Sequence, residues 1–275
     1  MPVISTNTAA NSAVRYLNIN SAQESSSLAK LSSGSKINQA SDDAAGLAIS
    51  TRISSDVTAL QQAATNASQA TSILQTADGG ASNISDILSR MKSLASESSS
   101  GTVTDSSRAY LQSEFSQLSN EIDSIAKGTR YSGQSLLDGT SPFAGTGSSI
   151  LVGSSSTDTI TVTLSDLTSA TLGTTALDIS TQAGATSALT TLDTAIDKVS
   201  SARASIGAQE SRFNFSASSI STQSENLKSA NSAITDVDIA AEQSKLSSAK
   251  VKTQAAVSAE AAANELPQYL LKLLG

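Results

Sequence analysis

The chain has 275 residues and a formal net charge of −7, and it contains no cysteine, histidine or tryptophan. Disulfides, metal sites built on cysteine or histidine, and nucleophiles that need a histidine base are therefore excluded. Aromatic residues make up only 3% of the sequence, so an elongated helical protein with narrow Ala, Leu and Ile seams fits better than a compact globule. Lysines and arginines are scattered singly, without the basic stripe typical of nucleic-acid binding.

No segment predicts an association with a membrane. The sequence has no apolar run of about 18 residues, the length that a spanning helix needs. Its start, MPVISTNT, carries neither a basic region nor an apolar stretch, so it does not resemble a cleavable secretory signal. If the protein leaves the cell, we expect it to do so by another route.

The N-terminal segment, residues 1–40, predicts a weak helix. Its apolar residues lie at helical spacing, but the intervening heptad positions hold Ser21 and Glu24. Such a helix is too weak to fold alone, so we expect it to be disordered in the free monomer. The residues predicted to act in assembly here are Val14, Leu17, Leu28 and Leu31.

Two long helical segments follow in the first half. The first carries apolar residues three and four apart, and Gly79-Gly80 within it predicts a kink or a break. A loop at Ser98–Thr102 separates it from a second segment that ends at Gly128. Independent helices in an ordinary bundle would share this pattern. The apolar positions are Ile53, Val57, Leu60, Ala64, Ala67, Thr71, Leu74, Ile84, Leu88 and Met91 in the first segment, and Leu111, Phe115, Leu118, Ile122 and Ile125 in the second.

The middle of the chain, residues 141–184, predicts a small β-containing insert. No Lys or Arg occurs from Tyr131 to Asp197. Within this range, Asp158–Leu164 alternates apolar residues with threonine, which is typical of a half-exposed strand. A flexible loop remains the alternative for the edges of the insert. We expect the insert to project outward from the helices.

A heptad repeat over residues 189–234 predicts one very long helix. One column is apolar throughout and is the predicted subunit packing seam: Leu192, Val199, Ile206, Phe213, Ile220, Leu227 and Ile234. The partner column is mixed: Leu189, Ile196, Arg203, Glu210, Ala217, Ser224 and Asn231. One apolar and one half-polar column favour a bundle with unequal neighbours over a free two-stranded coiled coil.

The chain ends in a leucine cluster that follows a stretch rich in Ala and Ser. The cluster consists of Leu266, Leu270, Leu271, Leu273 and Leu274. The chain itself offers little to bury these side chains, so we expect other subunits or a chaperone to cover them.

Several segments, in a fixed order along the chain, carry specific motifs. They are ISTNT (4–8), AKLSSGSKINQASDDAAGLAIS (29–50), QTADGGA (75–81), LSRMKSLA (88–95), NEIDSIA (120–126), SAITDVD (232–238) and ANELPQ (263–268). Together they resemble bacterial flagellin over roughly residues 1–140 and 185–275. The stretch between these two parts matches nothing.

The resemblance implies a mainly α fold, an elongated coiled-coil-like bundle built from both chain halves, and the role of a structural subunit of the helical flagellar filament. Residues 1–44 and 235–275 would form the inner filament tube, and residues 45–140 and 185–234 the long-helix bundle. The short insert implies that large outer domains are missing. The alternative is a hook–filament junction protein. An enzyme on this scaffold would need two histidines on one helix face, and the chain has none; no cofactor is expected.

The resemblance also implies a set of partners. The chain would be exported unfolded through the flagellar type III apparatus with an export chaperone, and would meet other flagellin subunits, the filament cap and the hook–filament junction proteins outside the cell. Neither nucleic acid nor a membrane is expected as a partner. Arg90, Leu94 and Glu114 match residues that innate immune receptors bind in many flagellins. The alternative is that Leu94 lies in the core and the two charges are solvated.

Overall fold

The computed structural model describes the backbone of residues 7–274 and the side chains of residues 7–265. It divides into two compact units. The terminal unit combines the chain up to Ser55 with the chain from Asn226 onward, and the central unit is Asp56–Glu225. The predicted terminal segments, 1–44 and 235–275, fall inside the terminal unit, and the predicted insert falls inside the central unit.

The terminal unit pairs α1, Thr8–Ser33, with α6, Ile239–Leu274. The side chain of Asn7 caps the start of α1 by accepting a hydrogen bond from Ala10 N at 3.0 Å, as good N-cap residues do. Asn7 Nδ2 also donates to the carbonyl of Ala263, in the C-terminal half of α6, at 2.8 Å. At the opposite end of the pair, the carbonyl of Gly34 accepts from Val237 N at 3.1 Å. The two helices are therefore antiparallel.

The central unit contains three long helical segments, from α2 (Ala44–Ser99), α3 (Asp105–Gly128) and α5 (Gln182–Thr235). Both α2 and α5 also contribute residues to the terminal unit. The mainly α fold and the helical periods predicted from the sequence are confirmed. Large side chains that are completely or almost completely buried here include Leu60, Leu74, Ile84, Leu88, Met91, Phe115, Ile122 and Phe213.

The glycine pair in α2 does not break the helix, because α2 runs without interruption from Ala44 to Ser99. Gly80 is buried, and a Cβ atom there would overlap the side chain of Thr129 and approach Leu137 within 2.9 Å. The predicted break is therefore wrong. Glycine is needed at this position for close approach of the chain that follows α3.

Two short β-hairpins lie between α3 and α5. Strands β1 (Arg130–Tyr131) and β2 (Gln134–Ser135) join through Ser132 and Gly133, whose φ angles of 50° and 83° suit a tight two-residue hairpin turn. Strands β3 (Ser148–Leu151) and β4 (Thr159–Val162) pair antiparallel, with Ile150 opposite Ile160. The strand predicted from alternation is confirmed at β4. A single helical turn, α4 (Ser169–Leu172), follows.

The insert packs onto the helices of the central unit, whereas an outward projection was expected. Its buried apolar side chains include Val162, Leu164, Leu167, Leu172 and Ile179. Helix side chains also hold its backbone. Gln112 Oε1 of α3 accepts from Ile179 N at 2.7 Å, and the Asp123 carboxylate accepts from both Ser169 N and Ser169 Oγ at 2.8 Å. The insert is thus part of the central core.

In the part of the chain that the structure describes, no helix combines the length and apolarity needed to cross a membrane.

Candidate assembly surface

The predicted packing seam on α5 lies mostly inside the central unit. Five of its seven members, Leu192, Val199, Ile206, Phe213 and Ile220, are at most 4% exposed. The last two, Leu227 and Ile234, belong to the terminal unit and are half-buried. The five buried side chains pack within this chain and present no surface to a neighbouring molecule.

The second buried column of α5 differs from the mixed column expected from the sequence. It consists mainly of the small residues Ala188, Ala195 and Ala202, followed by Gln209, all at most 6% exposed. Of the expected column, Ser224 is buried and the other members are half-buried. Alanine counts for little as an apolar residue in a heptad pattern. The pattern therefore did not predict this buried column of small side chains.

Two members of that half-buried column, Arg203 and Glu210, form a charged cluster with Asp78 of α2. Arg203 Nε donates to Asp78 Oδ1 at 2.9 Å, and this contact raises the pKa of Arg203. The pKa of Glu210 is raised by burial and then by the negative charge of Asp78. Glu210 Oε1 is buried without a hydrogen-bond partner. The cluster joins α2 to α5 but leaves one carboxylate poorly compensated.

The terminal unit carries most of the exposed apolar surface. Of the twelve large apolar side chains that are exposed among the described residues, nine belong to this unit: Val14, Tyr16, Ile19, Leu28, Leu47, Ile49, Ile239, Val251 and Val257. The sequence analysis singled out Val14, which is 37% exposed, and Leu28, which is 56% exposed. It also singled out Leu17 and Leu31, which are half-buried. Tyr16 and Ile19 were missed because they lie off the stripe of heptad positions.

The C-terminal leucines fall outside the side chains that the structure describes. The backbone that carries Leu266, Leu270, Leu271, Leu273 and Leu274 is part of α6. Their predicted role in assembly and chaperone binding stays a prediction.

The residues proposed as a receptor epitope are only partly at the surface. Arg90 of α2 and Glu114 of α3 form an exposed ion pair with Nη2 and Oε1 at 2.7 Å. Leu94, by contrast, is 1% exposed and belongs to the core. This burial agrees with the alternative in which Leu94 lies in the core, and it leaves only the ion pair of Arg90 and Glu114 accessible at the surface.

Nothing in the described residues suggests a metal centre, since no group of three or more potential acidic ligands is close enough to hold an ion. The arrangement is a long-helix bundle joined to a pair of helices from the two chain ends, and the pair is rich in exposed apolar side chains. These features are typical of a helical structural protein.

Comparison with known proteins identifies the family. The model of the bacterial flagellin N-terminal helical region matches residues 4–142, and that of the C-terminal helical region matches residues 189–274. The chain therefore belongs to the bacterial flagellin family, which confirms the resemblance found in its motifs. Flagellins are structural proteins, so the chain is not an enzyme.

Individual relatives agree with the family models. The chain is similar to a flagellin of Halalkalibacterium halodurans, with 36% identity over 274 residues and 99% of both chains covered. It is 34% identical to the flagellar filament 30.7 kDa core protein of Treponema maltophilum, again with 99% of both chains covered. The crystal structure of Bacillus cereus flagellin matches with a TM-score of 0.52 and 34% identity, covering 61% of this chain and 94% of that one. The chain is thus a flagellin of the short form.

Proposed function

We propose that this flagellin polymerises into the flagellar filament by packing the apolar surface of its terminal unit against neighbouring copies. Its role as a filament subunit rests on the family. The observation that supports the terminal unit as the assembly surface is that nine of the twelve exposed large apolar side chains lie there. Exposed large apolar side chains concentrated in one unit are typical of interaction surfaces in soluble proteins.

The exposed residues of α1 suggest contacts with more than one neighbour. Val14 and Leu28 are fourteen residues apart, about four helical turns, so they lie on nearly the same face. Ile19 lies about 140° around the helix from Val14. Two separate apolar faces on one helix suit heterologous contacts, in which one face of a subunit binds a different face of the next. When such contacts do not close into a ring, they generate a helical polymer.

Assembly would also explain how the weak terminal helices remain folded. Ordering the backbone costs about 1–2 kcal/mol of conformational free energy per residue. Full burial of a Val, Leu or Ile side chain stabilises the folded state by about 1.5–3 kcal/mol. In the free subunit many of these side chains stay exposed. The terminal helices would therefore gain most of their stability from neighbouring subunits and would be disordered before assembly.

The remaining partners follow from the same proposal. Terminal segments that fold only in the polymer would suit export of the unfolded chain through the flagellar type III apparatus. The C-terminal leucines would bind an export chaperone before export. The filament cap and the hook–filament junction proteins would meet the subunit at the ends of the filament outside the cell, and innate immune receptors would contact Arg90 and Glu114.

Seeded polymerisation tests the assembly surface. We expect Leu28→Asp to reduce the fraction of protein that pellets with filament seeds at least tenfold, because the substitution places a charge in the subunit contact. Ser156→Asp, which adds the same charge at an exposed position of the insert, should pellet like the wild type. Normal elongation by Leu28→Asp would contradict the proposed surface. A wild-type chain that caps seeds without extending them would favour a junction protein instead.

A further inference from the structure

A buried carboxylate lies at the contact between the two terminal helices. Glu242, in the first turn of α6, is 5% exposed although it is charged at neutral pH. Its Oε2 accepts a hydrogen bond from Lys245 Nζ at 2.9 Å. The side chain of Lys245 is 64% exposed, whereas that of Glu242 is only 6% exposed. The lysine thus reaches in from solvent to a carboxylate enclosed between helices.

Helix α1 contributes the other groups that act on this carboxylate. Ser27 is completely buried on α1 and its hydroxyl oxygen has no hydrogen-bond partner, but it is close enough to Glu242 to help lower the pKa of that carboxyl group. Lys30, one turn further along α1, adds a second positive charge. The charged groups that act on Glu242 from the two packed helices, among the described residues, are therefore both cations.

The start of α6 also favours a negative charge at Glu242. Asp238 precedes the helix, and its Oδ1 accepts from Ala241 N at 3.0 Å. Glu242 lies in the first turn, where the helix dipole is positive. The pKa of Glu242 is lowered, first by the hydrogen bond from Lys245, then by Ser27 and by the charges of Lys245 and Lys30, against the opposing effect of burial.

We infer that Glu242 is an acid-sensitive contact that holds α1 against α6, and that its protonation releases the terminal helices and disassembles the polymer. This inference rests on the proposed function, because it assigns a control of assembly to the same terminal unit. When Glu242 is neutral, Lys245 and Lys30 lose their shared negative partner. The attraction of Lys30 on α1 for the carboxylate of Glu242 on α6 is then lost.

The direction of the pH dependence follows from linkage. A carboxylate with a lowered pKa in the folded state stabilises that state fully above its ordinary pKa, and the stabilisation is lost as the pH falls through the lowered value. Asp42 acts in the same direction. Its pKa is lowered mainly by hydrogen bonds from Asn38 N and Gln39 N, and to a smaller extent by Lys30. Its exposure and its backbone partners, however, place it outside the α1–α6 contact.

Filament sedimentation across a pH series tests the assignment with the full-length chain. Filaments grown at pH 7 are moved into buffers down to about pH 3, and the subunit concentration left in the supernatant is measured. Wild-type filaments should dissolve at a midpoint below about pH 4.3, the ordinary value for a glutamate. Glu242→Gln should raise the supernatant concentration at least tenfold already at pH 7, because glutamine mimics the protonated acid.

Three further variants keep the result interpretable. Lys245→Gln should move the dissolution midpoint to higher pH, and this shift decides the case if Glu242→Gln forms no filaments at all. Lys250→Gln and Lys228→Gln remove one exposed charge each from the terminal unit and should behave like the wild type. Unchanged behaviour of both Glu242→Gln and Lys245→Gln would overturn the inference while leaving the proposed function intact. Failure of the wild type and both control variants to polymerise would instead overturn the proposed function.

Discussion

Gln209 of α5 forms a reciprocal pair of hydrogen bonds with the backbone of Thr163, the residue that follows β4. Its Oε1 accepts from Thr163 N at 2.9 Å, and its Nε2 donates to Thr163 O at 3.0 Å. Gln209 is only 6% exposed. One buried side chain of α5 therefore binds the backbone directly after β4 and helps to hold the insert to the bundle.

Replacing Gln209 by leucine should loosen the insert. The change removes both hydrogen bonds to the backbone of Thr163, and because Thr163 is itself exposed, each lost bond should cost about 0.5–1.5 kcal/mol. We expect a lower urea midpoint for unfolding of the central unit and faster proteolytic cleavage within residues 141–184. Gln223→Leu, at an exposed position of the same helix, is the matched control. Equal cleavage rates for the two variants would show that the insert is held by its apolar contacts alone.

The apolar column of α5 predicts a strong contrast between two neighbouring positions. Ile206 is 3% exposed, so Ile206→Asp places an unpaired charge in the core and should cost several kcal/mol of stability. Ala208→Asp adds the same charge at an exposed position and should change the Tm little. Ser224, which belongs to the expected half-polar column, is itself buried and would be a poor control. Thermal unfolding followed by circular dichroism measures the difference, and similar Tm values would exclude the core position of Ile206.

The helices of this protein were predictable because their apolar residues repeat with the period of an α-helix. The limits of α3 and the strand β4 also followed from local signals. The continuity of α2 through Gly79 and Gly80 did not. A glycine pair ordinarily weakens a helix, and only the approach of Thr129 to Gly80, about fifty residues further along the chain, reveals why the pair is there.

The packing of the insert onto the helices could not be predicted from the sequence for a similar reason. Gln209 and Thr163 are 46 residues apart, as are Asp123 and Ser169, and no periodic pattern links them. At the assembly surface, heptad spacing identified Val14 and Leu28 but missed Ile19. An apolar residue off the stripe is recognisable as part of a surface only when the helix partner is known. The family motifs supplied what the local patterns could not.

The charged cluster of the central unit predicts a pH effect opposite in sign to that of Glu242. The pKa of Glu210 is raised by burial and by Asp78. A carboxylic acid whose pKa is raised on folding favours the folded state below its ordinary pKa, and that contribution is lost as the pH rises through the raised value. Glu210→Gln should therefore raise the Tm at pH 7 and leave it nearly unchanged at about pH 4.

The control for this prediction is Glu225→Gln, since Glu225 is exposed and also lies on α5 within the central unit. This variant should show the wild-type Tm at both pH values. A Tm gain at pH 7 shared by both variants would indicate a general effect of net charge. A Tm loss in Glu210→Gln would show that the charged form of Glu210 is stabilised by a contact such as that with Arg203.

The C-terminal leucine cluster predicts that assembly can be separated from folding of the central unit. Residues 264–275 lie beyond Ala263, whose carbonyl accepts the bond from Asn7 Nδ2, and none of them belongs to the central unit. Deleting this segment should leave the helicity and Tm of the central unit unchanged. Polymerisation and chaperone binding should be lost together, because both need an apolar cover for the same leucines.

Co-sedimentation of the truncated chain with filament seeds is the decisive measurement. A matched full-length variant in which the five leucines are replaced by serine tests whether the apolar side chains, rather than the length of α6, are responsible. Both proteins should stay in the supernatant while the wild type pellets. If the truncated chain elongates seeds, the cluster is not an assembly element. If only the serine variant elongates them, the helix backbone of this segment contributes the contact and the leucine side chains do not.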